Sequence, residues 1–200
     1  MKNIYIGIDP DLRTLNCALL LDDPPVRTLL AVFIRRNKTK LTKDDAVACA
    51  VRVAQALVED VLQYFIKHPQ YQQHTITMIA ESQSMQHTKV MQDKYHKKID
   101  PDDTLHTGQI IGILMGVFSN IVDVIHLVQP SRWKKQVKKP IHHPRILNHL
   151  KIPYKKLTST HYPEDFRSLS QYSGDKVNPG DFEDINDSIG LALYGAENNL

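Results

Sequence analysis

The chain has 200 residues, of which 42% are hydrophobic and 24% are charged, with a net charge of +3, a composition typical of a globular protein with a substantial core. The longest strongly apolar run, 110–118, is too short to cross a bilayer, and the first residues lead straight into a strand-like run without a secretory signal. Cys17 and Cys49 lie in apolar patterns without metal-like spacing, so buried thiols are expected rather than a disulfide. These features predict one cytoplasmic (intracellular) domain over residues 1–200, with no membrane association.

Apolar patterns predict, in chain order, three strands, a helix, a strand, a helix, a strand and a helix. The strands are expected at 3–8, 15–21, 27–34, 75–81 and from Val122, and the helices from about Thr42 to His68, from Thr107 and from Asp184. The short connections between the first three strands indicate an antiparallel meander. We therefore predict an α/β fold with a mixed five-stranded sheet, in which three antiparallel strands are followed by parallel strands, and with helices on both faces. A basic arm is expected at about 82–106 and a loop at about 158–183.

Charge is unevenly distributed along the chain. Residues 131–156 contain nine Lys or Arg and no Asp or Glu, whereas 157–200 contain eight acids against Arg167 and Lys176. A basic block that also contains Trp133 and several histidines suits a phosphate backbone, although a solvated surface face is the ordinary alternative. The complete absence of acids over this stretch favours nucleic-acid binding.

Acidic residues occur at the ends of separate predicted elements. Asp9 ends the first strand and Glu81 ends the fourth, while Asp184 and Asp187 share one face at the start of the last helix. Ordinary alternatives exist, since Asp9 with Pro10 can begin a turn, Asp184 can cap the helix, and Asp187 can interact favourably with the helix dipole. Four carboxylates that lie close together at neutral pH need cations, and oxygen ligands favour Mg²⁺ or Mn²⁺. The pattern therefore predicts a site with two divalent ions that hydrolyses a phosphodiester bond.

Five segments resemble the RuvC-like Holliday-junction resolvases of the ribonuclease H-like superfamily. In chain order they read IGIDPDLRTLNCALL, MIAESQSM, GQIIGIL, QPSRWKK and DINDSIGLAL, and the resemblance weakens between about 140 and 183. It implies a ribonuclease H-like fold and a homodimeric crossover junction endodeoxyribonuclease that cuts paired strands of four-way (Holliday) DNA junctions. It also implies two Mg²⁺ ions per site, with Mn²⁺ able to substitute. DNA recombination, DNA repair and the processing of branched viral genomes are all settings that this sequence fits equally.

The resemblance implies roles for individual residues. The four acids match the catalytic and metal-binding positions of the family: Asp9, Glu81, Asp184 and Asp187. Lys134 resembles the basic catalytic residue near the scissile phosphate, although Lys135 can take that role instead. Side chains expected to bind DNA are found in both basic segments, and they are Lys89, Lys94, Lys97, Lys98, Arg132, Trp133, Lys134, Lys135, Lys138 and Lys139.

Three departures from the family pattern put substrate preference in doubt. Asp11 stands where the family usually has glycine, Ser84 stands where it often has an aromatic residue, and Glu81 lies 27 residues before Gly108, a longer gap than usual. The helix from Thr107 is an expected dimer interface, with a plain core helix as the alternative.

Two other functions stay open: a debranching nuclease for forks or other branched DNA or RNA, and a catalytically silent junction-binding protein. A sugar-kinase-like ATPase shares the first motif, but the chain is too short for its two-lobed form.

Overall fold

A mixed five-stranded sheet organises the chain in the computed structural model, which describes residues 2–10, 14–36, 46–82, 101–134, 137–157, 160–163 and 181–200. The strands are β1 (Asn3–Pro10), β2 (Thr14–Asp23), β3 (Val26–Arg36), β4 (Thr75–Glu81), β5 (Val124–Val128), β6 (Tyr154–Leu157) and β7 (Thr160–Pro163). The helices are α1 (Ala46–Lys67), α2 (Pro101–Phe118), α3 (Pro130–Trp133), α4 (Lys139–His149) and α5 (Asp181–Asn198), with a 3₁₀ turn at Pro69–Tyr71. None of the helices in the described ranges combines the length and hydropathy that a membrane crossing requires.

The strand order of the sheet is β3-β2-β1-β4-β5. β1 pairs antiparallel with β2, and β2 pairs antiparallel with β3, whereas β1–β4 and β4–β5 are parallel. A parallel neighbour requires a crossover connection, and α1 and α2 lie in the two crossovers. The predicted mixed sheet of three antiparallel strands followed by parallel strands is confirmed.

The sheet separates two hydrophobic cores. Ile4, Ile6 and Ile8 of β1 pack with α1 and α2 on one face, while Tyr5 of the same strand packs with α4 and α5 on the other. This alternation follows from the two-residue period of a strand and confirms the prediction of helices on both faces. Five apolar residues that recur at helical spacing along α1 are also buried: Ala50, Ala54, Leu57, Val61 and Phe65.

Gly7 allows α5 to lie unusually close to β1. A Cβ atom at this position would collide with the carbonyl oxygen of Ser188 and would lie 2.5 Å from the backbone nitrogen of Ala192. Only glycine permits two backbones to approach in this way. The close approach brings the first turns of α5 to the end of β1.

Several predicted boundaries are wrong. α2 begins at Pro101, so residues 101–106 are helical rather than part of the arm; proline suits the first helical position because its missing N–H has no partner there. The remainder of the arm, 83–100, lies outside the described residues. The predicted loop at 158–183 contains β7, and α5 begins at Asp181 instead of Asp184.

The basic block forms α3, α4 and β6, where the sequence patterns predict no elements. α4 carries Pro140 in its first turn and Pro144 in its interior, and proline is a poor signal for a helix. Burial of Ile146 and Leu147 in the core beside α5 holds this helix in place.

Candidate active site

The carboxyl ends of β1 and β4 bring Asp9 and Glu81 to neighbouring positions. The two strands are parallel and are paired in register up to the residues immediately before these acids. Ser188 of α5 ties the helix to the same edge, because its hydroxyl accepts a hydrogen bond from the Asp9 N–H at 3.2 Å and donates one to the Asn16 carbonyl at 3.1 Å. The start of α5 is therefore held against the strand end that carries Asp9.

The charge around Asp9 shows that the predicted acids lie within electrostatic reach of one another. Burial raises the pKa of Asp9 well above its usual range, and the charges on Glu81, Asp187 and Asp184 raise it further. The ammonium of Lys134 opposes this shift without cancelling it. Among the described residues, the positive charge near Asp9 is therefore too small to stabilise its ionised carboxylate fully. A bound cation would supply the missing positive charge.

Asp187 is the most enclosed of the acids, with 1% of its surface exposed. One carboxylate oxygen lies 3.0 Å from His143 Nε2, and the other lies 3.1 Å from Lys134 Nζ and 3.2 Å from Lys139 Nζ. Burial acts to raise the pKa of Asp187, but the hydrogen bond from His143 and the charges on the two lysines outweigh it and hold the pKa below its usual range. Asp187 is therefore ionised at neutral pH, and because an ionised carboxylate can only accept, His143 Nε2 donates.

Lys134 bridges two of the acids. Its ammonium lies 2.9 Å from Glu81 Oε2 and 3.1 Å from Asp187 Oδ2. Burial acts to lower the pKa of Lys134, but Asp187, Glu81 and Asp9 together raise it above its ordinary value. The Lys134 ammonium therefore stays charged and supplies positive charge between Glu81 and Asp187.

Trp133 supports this arrangement through its ring and its indole nitrogen. The indole Nε1 donates to Glu81 Oε2 at 3.0 Å, and the ring centroid lies 4.6 Å from the Lys134 ammonium, a cation–π distance. Only 4% of the Trp133 surface is exposed, which leaves its ring little area for stacking on a base. The indole ring packs directly against Gly190, where a Cβ atom would lie 2.7 Å from the ring of Trp133 and 2.7 Å from the side chain of Ile146.

The acidic side chains of this site suit a hard divalent cation, although the described residues do not form a preorganised metal site. The described residues hold no group of three or more Asp, Glu, His or Cys side chains arranged to bind a metal ion. Carboxylate oxygens are nevertheless the ligands that Mg²⁺ prefers, and the Lys134 ammonium between Glu81 and Asp187 shows that a positive charge is stabilised there. The buried amide of Asn16, which has no hydrogen-bond partner among the described residues, adds a further donor and acceptor beside Asp9. The residues therefore fit such a cation in their chemistry.

The remaining predicted site residues are distributed around this cluster. Arg132 and Lys138 are exposed, whereas Lys139 is half-buried and pairs with both Asp187 and Glu183, the latter at 3.3 Å. The structure thus brings together Asp9, Glu81, Asp187 and Lys134, with Asp184 in electrostatic reach. Seven positions singled out from the sequence lie outside the described residues: Asp11, Ser84, Lys89, Lys94, Lys97, Lys98 and Lys135.

Sequence reasoning missed His143 as a site residue. Its side chain is buried, and it contacts Asp187 across 44 residues of sequence. One signal was available, because His143 follows Lys139 by four residues and shares its face in a helix. That signal had meaning only if residues 139–149 were recognised as helical.

Comparison with known proteins gives a clear result at the level of structure alone. No family model matches the sequence, and no curated protein matches it. The structure is similar to T. thermophilus RuvC in complex with a Holliday junction substrate, with a TM-score of 0.58 and 13% identity over 97% of this chain and 92% of that one. A second Thermus thermophilus RuvC structure gives a TM-score of 0.58 and 14% identity over 98% of this chain and 96% of that one.

The human cytomegalovirus terminase nuclease domain, Mn-soaked and inhibitor-bound, gives a TM-score of 0.49 and 8% identity over 98% of this chain and 84% of that one. The similarity to the two RuvC structures extends over almost the whole length of this chain. The resemblance that the sequence motifs carry is confirmed in the fold: the chain has the RuvC-like form of the ribonuclease H-like fold.

Proposed function

We propose that the protein is a metal-dependent, structure-specific endodeoxyribonuclease that resolves four-way DNA junctions by paired phosphodiester hydrolysis. The observation that carries this proposal is the convergence of Asp9, Glu81 and Asp187 beside the Lys134 ammonium at one edge of a RuvC-like sheet. Acids from three separate elements meet there, at a cost in electrostatic repulsion that a structural role alone does not require. We also propose that residues 1–200 form a single nuclease domain.

The acids would hold two divalent ions, which we propose to be Mg²⁺, with Mn²⁺ able to substitute. The proposed ligands are Asp9, Glu81, Asp184 and Asp187. When bound, such ions polarise a phosphodiester and lower the pKa of a water that attacks it. Asp9 binds a cation only in its ionised form. Its raised pKa therefore predicts that protons compete with the cation for this carboxylate and that cation affinity rises with pH.

Neighbouring side chains would orient these ligands. Trp133 Nε1 holds Glu81 through Oε2, and His143 Nε2 holds Asp187 through Oδ1, so each carboxylate is kept in one orientation. Lys134 would neutralise the acids in the absence of cations and compensate the charge of the scissile phosphate when substrate is bound. These roles need no cysteine or serine nucleophile.

The basic residues around the site would bind the DNA backbone. Arg132 and Lys138 are exposed, and they directly precede Trp133 and Lys139 in a block that contains no acid from 131 to 156. We extend the same role to Lys135 and to the arm lysines, Lys89, Lys94, Lys97 and Lys98. Binding through such contacts weakens steeply as salt rises, because phosphate neutralisation releases counterions.

A homodimer would present two such sites to the two strands of a junction. Support comes from α2, where Gly108, Gly112 and Gly116 are exposed, and a Cβ added at any of them would meet no described atom within 4 Å. The opposite side of the helix, including Ile110, Leu114 and Phe118, is buried in the core. Among the described residues, α2 is thus a core helix whose glycine face is uncovered, and we propose this face as the contact with a second copy.

Cleavage of defined DNA substrates tests the proposal. An immobile four-way junction, a fork and a linear duplex would be incubated with Mg²⁺, Mn²⁺ or EDTA. Wild type would be compared with Asp9→Asn, and with Asp23→Asn as a control, since Asp23 pairs with Lys2 at the other end of the sheet. We expect symmetric, cation-dependent nicks in the junction that Asp9→Asn loses and Asp23→Asn keeps.

Other outcomes would redirect the proposal. Preferential cutting of the fork would indicate a debranching nuclease, and tight junction binding without any cutting by wild type would indicate a silent binding protein. Normal cleavage by Asp9→Asn would contradict the proposed metal site.

A further inference from the structure

Asn16 is a completely buried amide beside the candidate active site. Its exposed fraction is 0%, and within the described part of the chain neither Oδ1 nor Nδ2 has a hydrogen-bond partner. Buried polar side chains are nearly always hydrogen-bonded, and an exception calls for an explanation such as a water or an ion that the protein binds. Asn16 lies on β2 and belongs to none of the site residues predicted from the sequence.

The strand register places Asn16 next to the acids. It is the direct partner of Asp9 across the antiparallel pair β1–β2. Directly opposite residues have their Cβ atoms about 4.5–5.5 Å apart on the same face of the sheet. Glu81 lies on the other side of Asp9, so Glu81, Asp9 and Asn16 form one polar row across three neighbouring strands.

The face that carries this row is the one covered by α5. Ala18 and Leu20, which follow Asn16 with a period of two, pack in the core on the α5 side. Ser188 of α5 is bonded to the backbone of both Asp9 and Asn16. The amide is therefore enclosed between the strand ends and the helix that carries Asp187.

We propose that Asn16 is a positioning residue of the cation site, an inference that rests on the proposed function. One amide N–H donates to the ionised carboxylate of Asp9, and Oδ1 accepts a hydrogen bond from a water of the bound ion. Mg²⁺ commonly retains several of its waters in protein sites, and groups that hold ligands and waters in place contribute substantially to affinity. In this role both polar atoms of Asn16 gain the partners that they lack among the described residues.

The alternative is a buried polar residue without a role in cation binding, and Asn16→Leu separates the two. Leucine has nearly the same size but no polar atoms. If Asn16 only fills space, the substitution leaves cation affinity unchanged and leaves the protein equally or more stable, because it removes unsatisfied groups. If Asn16 positions Asp9 and a bound water, cation affinity falls about 10-fold or more while the cation-free protein remains folded.

Mn²⁺ titration by calorimetry on the full chain, without DNA, measures this difference. The matched control is Tyr5→Phe, because Tyr5 is also fully buried on the α5 side and its hydroxyl has no partner among the described residues, but it lies four residues before Asp9. We expect weaker Mn²⁺ binding for Asn16→Leu and wild-type binding for Tyr5→Phe. Wild-type affinity in Asn16→Leu would overturn the inference.

Asp9→Asn in the same titration distinguishes failure of this inference from failure of the proposed function. If Asp9→Asn and Asn16→Leu both bind Mn²⁺ as wild type does, the cation site itself is wrong. If only Asn16→Leu does, the site stands and Asn16 has no part in it.

Asn16→Asp keeps the inference testable if the leucine variant does not fold. A carboxylate at this position adds a negative charge that a bound cation offsets, so we expect Mn²⁺ to raise the melting temperature more in Asn16→Asp than in wild type. An equal or smaller rise would count against a place for residue 16 in the cation site.

Discussion

Replacing His143 with alanine removes the hydrogen bond from Nε2 to Asp187 Oδ1, which is 3.0 Å long and joins two side chains that are each 2% exposed. A hydrogen bond to a charged group contributes about 1.5–3 kcal/mol. The carboxylate keeps its contacts with Lys134 and Lys139 through its other oxygen, so it is not left as an isolated buried charge. We therefore expect His143→Ala to lower the free energy of unfolding by about 2–3 kcal/mol, less than the roughly 3–5 kcal/mol that an uncompensated buried charge costs.

Urea denaturation followed by circular dichroism at pH 7, without divalent cations, measures this loss. For a protein of this size, 1 kcal/mol corresponds to a shift of about 2–4 °C in melting temperature, so a decrease of roughly 4–12 °C should accompany it. His143→Gln retains an N–H donor at a similar reach and should recover most of the stability. The two variants together separate the hydrogen bond from the volume of the ring.

A double-mutant cycle with Asp187→Asn tests the cause directly. If the bond is responsible, His143→Ala should cost at least about 1 kcal/mol less in the Asp187→Asn background than in wild type. An equal cost in both backgrounds, or no cost in wild type, would refute the reasoning that His143 acts through Asp187.

Three further predictions concern the acids and two glycines. Burial, Glu81 and Asp187 raise the pKa of Asp9, so the contribution of Asp9 to stability is present below its unfolded pKa and is lost as pH rises through its folded pKa. At pH 7 without cations, Asp9→Asn should therefore have a higher melting temperature than wild type. A lower melting temperature would contradict this reasoning. Gly190→Ala should cost about 1–3 kcal/mol in urea denaturation, because its Cβ would lie 2.7 Å from the Trp133 ring, and wild-type stability would show that the packing is looser. Leucine at Gly112 would project into open space within the described residues and is a better helix former than glycine, so Gly112→Leu should not destabilise the fold of the protomer. It should shift sedimentation velocity from dimer toward monomer, and an unaltered dimer would exclude this face as the interface.

The sheet and its main helices could be predicted because their signals are local. Apolar runs identify the strands, and the recurrence of Ala50, Leu57 and Phe65 at helical spacing identifies α1. α4 could not be predicted in the same way, since Pro140 and Pro144 interrupt its pattern and tertiary packing beside α5 holds it. A helix that depends on distant partners has a weak signature in its own sequence.

The sequence by itself determined the order of the five sheet strands and of the three long helices, the fold class, and the position of the acids at the ends of strands and at the start of the last helix. Only the tertiary structure decided which groups surround those acids: Lys134 between two of them, His143 on Asp187, and Asn16 opposite Asp9. The Lys134 and His143 contacts to Asp187 span 53 and 44 residues of sequence. They depend on the packing of α3, α4 and α5 in one core on the same face of the sheet. That packing joins segments that are far apart in sequence, so a pattern of neighbouring residues does not reveal it.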